Sequence, residues 1–227
     1  MSGNLHKKYF KDYFKSEQAV QSVNRELLNA VLEVIPCPLK DGVSTFRMKV
    51  LYPGLVTGVG LPHEEGIEGE FKLGMHFDWT YGMPVIYGSS VKGVLSSYFK
   101  YEYKGAQPIE AVMMDVFGSA KKADVGQKDQ RRGEDVFFDA VVVSAPGNHP
   151  LADDSITPHG DVFSDPTPLP FLKIAPGCVI EFRFKLRGKE EGSLLSREEK
   201  IKIFKRILAH YGIGAKTNVG YGQLVPA

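Results

Sequence analysis

The sequence predicts an α+β fold: a ferredoxin-like (RRM-like) βαββαβ core in residues 41–227, an N-terminal helical extension in residues 1–40, and long inserted loops. Three observations predict it. Apolar residues alternate in some segments and recur every three to four positions in others, which separates strands from helices. With the N-terminal helix and the connectors set aside, the order is strand, helix, strand, strand, helix, strand, the split βαβ arrangement that lays two helices on one face of four strands. Hydrophobic content is 43% in 227 residues, enough for a sizeable core.

The elements follow in order. Residues 16–35 read as a helix whose stripe is Val20, Val23, Leu27, Ala30, Val31 and Val34, capped by Ser16 and ended by Pro36 and Pro38. Residues 44–52 read as a strand, because Phe46, Met48 and Val50 alternate with Arg47 and Lys49 before Pro53-Gly54. Residues 55–81 are glycine-rich and show no period. Residues 84–99 give a short extended piece, a Gly88-Ser89-Ser90 turn and a helix with Val91, Val94, Leu95, Tyr98 and Phe99 inward and Ser89 or Ser90 as its cap. A short helix follows at 108–117. Residues 120–135 are charged or small and read as a solvated loop. The β-branched run 136–144 reads as one buried strand. Residues 145–170 hold six prolines and no period, and so read as a loop. Residues 178–187 alternate cleanly, 196–211 form a helix with Ile201, Phe204, Ile207, Leu208 and Tyr211 inward, and 221–225 close as a strand.

Composition narrows the function. A net charge of +1 excludes a protein coated in positive charge, so any nucleic-acid contact must be local. No apolar run approaches a membrane span, and residues 1–15 lack the apolar stretch of a secretory signal. Cys37 and Cys178 lie in unlike contexts without CxxC spacing, so a reduced, cytoplasmic setting is expected, with no disulfide or zinc site. The histidines show no ligand spacing, and His63-Glu64-Glu65 is not HExxH, so neither a metal nor another cofactor is expected.

Two segments carry the candidate site. The first is the run from Gly212 to Gly222, with Gly212, Gly214, Gly220 and Gly222 around Lys216, Thr217 and Asn218. Bare glycines let backbone amides approach a partner and form concavities suited to anions, and the three polar residues add a cation, a hydroxyl and an amide. The same residues also suit a tight helix-to-strand turn with glycine caps. A nucleotide P-loop is excluded, since Ala215 precedes Lys216 and the helix comes before the loop instead of after it. The second segment is the helix start at Ser89, Ser90 and Lys92. A lysine at the positive end of a helix makes sense if an anion lies between them; otherwise it is a solvated surface lysine.

Other residues offer weaker chemistry. His159, in the proline-rich loop, has the side chain of a general base. Asp153-Asp154 and Asp161 with Asp165 suggest a metal-ion nuclease, or simply solvated acidic loops. Lys121-Lys122 and Arg131-Arg132 are diluted by neighbouring acids. Lys7, Lys8, Lys11 and Lys15 interleave with Tyr9, Phe10, Tyr13 and Phe14, which suits stacking plus phosphate contact or an arm packed on a neighbour.

With these pieces placed, the chain from about Ser44 onward resembles the RAMP superfamily of CRISPR RNA-binding proteins. Pro84-Val85-Ile86-Tyr87-Gly88-Ser89-Ser90-Val91-Lys92-Gly93 looks like that family's P-x-I-x-G-S-S-x-K-G segment, and the terminal glycine-rich loop after the last helix looks like its second motif. Residues 52–60, 154–159 and 210–217 make it look most like a subunit of the type III-B, or Cmr, effector complex, which uses a guide RNA to find target RNA. The resemblance implies a non-catalytic scaffold that caps the complex, grips the guide toward its 3′ end, lies near the guide–target duplex and packs on other RAMP subunits. It implies RNA-binding roles for Ser89, Ser90, Lys92, Gly212, Gly214, Lys216, Thr217, Asn218 and Gly220. The family also holds endoribonucleases, and the rival expectation is cleavage of guide precursor or target by Asp78 or His159. Asp78 lies only four residues before Gly82, closer than the nuclease pattern places its aspartate.

Overall fold

The computed structural model describes residues 3–33, 41–58, 67–118, 133–157 and 168–227. Its helices are α1 (Leu5–Lys7), which runs into a π-helical turn at Lys8–Asp12, α2 (Glu17–Leu28), α3 (Gly88–Glu102), α4 (Ile109–Phe117) and α5 (Arg197–Tyr211). Its strands are β1 (Val43–Val50), β2 (Val85–Ile86), β3 (Val136–Phe137), β4 (Ala140–Ser144), β5 (Leu151–Ile156), β6 (Leu169–Ile174), β7 (Val179–Lys185) and β8 (Leu224–Pro226). The protein is a mixed α+β molecule. The main sheet runs β2-β4-β7-β1-β8 with every neighbouring pair antiparallel, and β3 also pairs with β7. No described helix is long and apolar enough to cross a membrane.

Register sets the two faces of the sheet. Phe46 stands opposite Phe182 and Arg47 opposite Glu181. Alternation therefore sends Phe46, Met48, Ile180, Phe182 and Phe184 into the core and Arg47, Lys49, Glu181 and Arg183 to the other side. Glu181 is buried there between Arg47 at 2.9 Å and Arg183 at 3.0 Å. On the apolar side the Phe204 ring of α5 lies 5.3 Å from Phe184 and 6.4 Å from Phe99 of α3. The two long helices meet again where Tyr98 stacks on Tyr211 at 4.0 Å. Each fully buried ring contributes about 1.5–3 kcal/mol. Ser196 caps α5 in a capping box with Glu199, and the buried Lys200 is held by Asp135 at 2.7 Å and by the Arg187 carbonyl at 2.9 Å.

The N-terminal residues join the same core. Tyr9 and Tyr13 are fully buried; the Tyr9 hydroxyl donates to the Leu73 carbonyl at 2.8 Å, and the Tyr13 hydroxyl accepts from the Phe71 N–H at 2.7 Å. The packed arm is thus the form these two tyrosines take, and burial pushes the Tyr13 hydroxyl up to about 12. Burial does the same to the free thiol of Cys178, also to about 12, which leaves it inert.

Four elements differ from the sequence expectation, each for a physical reason. Helix α2 starts at the predicted Ser16 cap but stops at Leu28, where the Asn29 side chain donates to the Arg25 carbonyl at 2.8 Å. Ala30 and Leu32 remain buried beyond its end, and Val31 is exposed. The run 136–144 breaks into β3 and β4 because Asp139 turns out of the sheet to reach the start of α3. The proline-rich stretch 145–170 is not all loop: β5 pairs with β6 from Leu151 opposite Ile174 to Ile156 opposite Leu169, a second sheet that holds Pro170 at a pairing position. Proline had counted against a strand there, but an edge position tolerates it. The last strand begins at Leu224, later than expected, because Tyr221 and Gly222 close the loop before it. His63, Lys121, Arg131, His159, Asp161 and Asp165 lie outside the described residues.

Candidate nucleic-acid interface

The start of α3 is built by contacts rather than by a serine cap. Tyr87 is the N-cap residue and makes no side-chain cap bond; Ser89 and Ser90 sit inside the first turn, exposed. The Gly88 N–H donates to Asp139 Oδ1 at 2.7 Å, so the chain's own carboxylate occupies one orphan donor of the helix. Gly88 is also sterically required, since a Cβ there would lie 2.2 Å from the Phe137 carbonyl oxygen. Gly93 is different. It sits in the helix interior, is exposed, and a Cβ there would meet nothing within 4 Å. An interior helical glycine costs about 1 kcal/mol relative to alanine, and no packing demand explains it.

In the C-terminal loop most glycines serve the fold. A Cβ at Gly212 would lie 2.5 Å from the Gly222 carbonyl oxygen, at Gly214 2.4 Å from that of Val56, and at Gly222 within 1.9 Å of that of Ile213. Gly212, Gly214, Gly220 and Gly222 all have positive φ. The amides of Ile213, Ala215 and Gly222 donate to Gly222, Val56 and Gly54. By contrast, among the described residues nothing accepts from the N–H groups of Gly214, Lys216, Thr217 and Asn218. Lys216 takes φ +60°, a left-handed conformation that costs a non-glycine residue about 1–2 kcal/mol. The glycines fold the loop, and the strained, polar middle of the loop presents the free amides.

Tertiary packing brings the two motifs together. Ser90, Gly93 and Ser97 of α3 face Gly214 and Ala215 across a hollow of about 440 Å³, with Thr57 and His76 in its wall. A backbone bridge from Val56 to Ala215 ties the floor to the loop. Behind it, Val56, Phe171 and Tyr221 form a small second core. The Tyr221 hydroxyl donates to Asp154 Oδ2 at 2.7 Å, and Lys173 pairs with the same oxygen at 2.5 Å, so the β5–β6 hairpin clamps the loop. Burial raises the Asp154 carboxyl, but the bonds from Lys173, Tyr221 and the Ser155 N–H outweigh it and hold it below the usual carboxylate value.

Not every expected residue reaches the hollow. Ser90 and Gly214 line it; Ser89, Lys92, Gly212, Lys216, Thr217, Asn218 and Gly220 do not. Lys92 is two residues past Ser90, roughly 200° around the helix, and its ammonium group lies 5.9 Å from the centroid of the Phe137 ring. Asp78 is engaged in its own turn, accepting from the Thr80 and Tyr81 N–H groups at 2.8 and 2.6 Å. Asp153 and Asp154 lie on β5, and among the described residues no group of three or more His, Cys, Asp or Glu is placed to hold a metal ion.

His76 is the residue the sequence reading missed. Its ring stacks on Tyr87 with centroids 4.1 Å apart, and its N–H donates to Thr57 Oγ1 at 3.1 Å. Burial pulls its imidazole below the ordinary value, opposed by the nearby Asp139 carboxylate. The available signal was Met75-His76-Phe77: both neighbours are buried on one side, so an extended chain turns His76 to the other.

The chain is 30% identical over 199 residues to the CRISPR system CMR subunit Cmr6 of Saccharolobus solfataricus, a match that covers 86% of this chain and 60% of that protein. It is 24% identical to the CRISPR system Cmr subunit Cmr6 of Pyrococcus furiosus, covering 97% of this chain and 73% of that one. It therefore spans about three fifths of the Saccharolobus relative's length. A chain in the cryo-EM structure of the type III-B Cmr-beta complex bound to cognate target RNA shares its fold, with a TM-score of 0.62 at 20% identity over 99% of this chain and 79% of that one. The superfamily match itself runs from residue 47 to 225 and takes in both the strand-to-helix turn before α3 and the C-terminal glycine loop, so the chain belongs to the RAMP superfamily.

Proposed function

We propose that the protein is a non-catalytic scaffold subunit of a type III-B CRISPR effector complex that targets RNA in antiviral defence, and that it holds the guide RNA against the hollow between α3 and the C-terminal loop. The relatives' names and the family membership support the assignment. We read the antiparallel order β4-β7-β1-β8, with α3 and α5 on one face, as a ferredoxin-like βαββαβ core in residues 41–227, extended by residues 1–40. The guide, its duplex with target RNA and other RAMP subunits are the proposed partners.

One observation carries the binding site: two segments more than a hundred residues apart meet at a hollow whose α3 wall includes Gly93, a glycine with no packing reason to be there. A bare helix face admits a sugar–phosphate backbone close to Ser90 and Ser97. The free amides of Gly214, Lys216, Thr217 and Asn218 and the Lys216 ammonium then face phosphate oxygens along the loop; Gly212 and Gly220 shape the turn that presents them. Ser89 and Lys92 flank the same helix start on its outer side and serve a phosphate farther along the strand. Such contacts position RNA without reading it, and base pairing within the guide duplex supplies specificity. Asp78 Oδ1 is committed to the Thr80 and Tyr81 N–H groups of its own turn, and no group of three metal-ligating residues gathers around it among the described residues.

Filter binding on the assembled complex tests this. Gly93→Val and the double variant Lys92→Ala/Lys216→Ala each weaken guide retention, and the double variant lowers the salt slope by about one per lysine lost. Unchanged retention and slope in both would overturn the site. Purified protein leaves guide repeat and paired target RNA uncut; cleavage abolished by Asp78→Asn, His76→Ala or His159→Ala would overturn the scaffold reading.

A further inference from the structure

A second depression, about 620 Å³, lies on the far side of Tyr87. Tyr87 forms part of its wall and stacks on His76, which lines the first hollow, so the two depressions share that stacked pair. Apart from Asn4, the rest of this groove is aromatic and basic: His6, Lys7, Phe10, Lys11 and Trp79. The His6 ring lies 4.7 Å from Trp79 and 4.8 Å from Phe10, yet Trp79 is 78% exposed.

An indole left that open is usually carried on a loose loop, but this one is pinned. Asn4 donates to the Trp79 carbonyl at 3.0 Å. Asp78 closes the turn through the Thr80 and Tyr81 amides, and Gly82 packs so tightly that a Cβ would lie 2.6 Å from Asn4 Cα. The fully buried Tyr9 anchors the arm from behind. The lysines divide in the same spirit. Lys8 pairs with Glu26 at 2.6 Å and Lys15 with Asp12 at 2.7 Å, while Lys7 and Lys11, both exposed on the groove, make no direct ion pair among the described residues and feel the Asp12 carboxylate only at a distance. Two like charges four residues apart repel each other, and an anion between them relieves that.

A rigid, exposed aromatic face with two ammonium groups beside it, neither in a direct ion pair, matches one ligand chemistry: a base to stack and a phosphate to neutralise. A base inside a duplex offers no free face, so the nucleotide must be unpaired. We propose that this groove holds an unpaired nucleotide of single-stranded RNA, the base stacked on Trp79 and the phosphate facing Lys7 and Lys11. The proposal rests on the reading of the chain as an RNA-binding subunit and adds a second contact point along the strand.

Trp79 is the only tryptophan in the chain, so its fluorescence reports on this groove alone. Titrating the full chain with a short single-stranded oligouridylate quenches that emission, and the same RNA annealed to its complement does not. Trp79→Ala weakens oligonucleotide binding, measured by anisotropy of a labelled strand, about ten-fold, and Trp79→Phe restores most of it. Lys7→Ala/Lys11→Ala makes the salt dependence shallower by about 0.7, the single-strand slope for the one phosphate the two lysines share. Full binding by Trp79→Ala, with loss in Gly93→Val or Lys216→Ala, overturns the groove and leaves the proposed function standing. No binding of any RNA by the wild-type chain, alone or assembled, overturns both. Emission that shifts on adding partner subunits without RNA, and not on adding RNA, overturns the groove in favour of a protein contact.

Discussion

Two glycines five positions apart, separated by less than two turns of helix, have opposite reasons to exist. Gly88 has no room for a methyl group, because the Phe137 carbonyl oxygen sits 2.2 Å from where a Cβ would be. Gly93 has open space. Gly88→Ala therefore destabilises the protein by about 1–3 kcal/mol through overpacking against backbone. Gly93→Ala instead stabilises it by about 0.5–1 kcal/mol and weakens guide retention in the assembled complex. Chemical denaturation of the two variants beside wild type checks the signs. Equal destabilisation by both would remove the argument that Gly93 is kept for a ligand. His76 belongs to the same scale. Burial lowers its imidazole, so on the proposed reading attraction for phosphate comes from the free amides of the C-terminal loop and from Lys216 beside the hollow.

At the scale of elements, the β5–β6 hairpin and the C-terminal loop are held together by one carboxylate. Asp154 accepts from Tyr221 and Lys173, and its folded value lies below its ordinary one. A lowered carboxyl contributes stability that is fully present above the unfolded value near 3.8 and is lost as pH falls through the lower folded value. Acid thus loosens the hairpin from the loop. Thermal melts of wild type and Asp154→Asn across the acid range check this: the variant melts lower at neutral pH, and the two curves converge as Asp154 protonates. Parallel curves would show that the clamp does not contribute. The clamp also explains why the proline-rich stretch was hard to read. Its strands are short, Asp153 and Asp154 depress β propensity, and what holds β6 in place is Leu55 and Leu73, distant in sequence.

For the whole molecule, a net charge of +1 and a sheet face without aromatic side chains on β1 or β7 argue against a free-standing RNA-recognition domain. The outward positions of those strands are Val43, Thr45, Arg47, Lys49, Val179, Glu181, Arg183 and Lys185, and the buried Glu181 pairs with both arginines and offsets one of their charges. On the proposed reading the isolated chain is expected to bind RNA weakly and the assembled complex tightly, because neighbours share the electrostatic load. Comparing the affinity of the isolated chain with that of complexes with and without it, at one salt concentration, checks this; tight binding by the chain alone would contradict it.

Elements whose pattern is local were legible from residues alone. The alternation of β1 and β7, the apolar stripe of the helix from Ser196 and the two glycine-bearing motifs are written within a few consecutive positions, because period depends on near neighbours. Asp139 reaching Gly88, His76 stacking on Tyr87, Lys92 turning toward Phe137 and Trp79 pinned by Asn4 are contacts between residues up to 75 apart in the chain, and only the packed structure brings them together. The sequence by itself determined which backbone segments would be bare and polar enough to meet a polyanion. The tertiary structure decided which of those groups are already used within the protein, because a helix N-terminus or a glycine turn has the same local pattern whether its donors face solvent or the protein's own carboxylate.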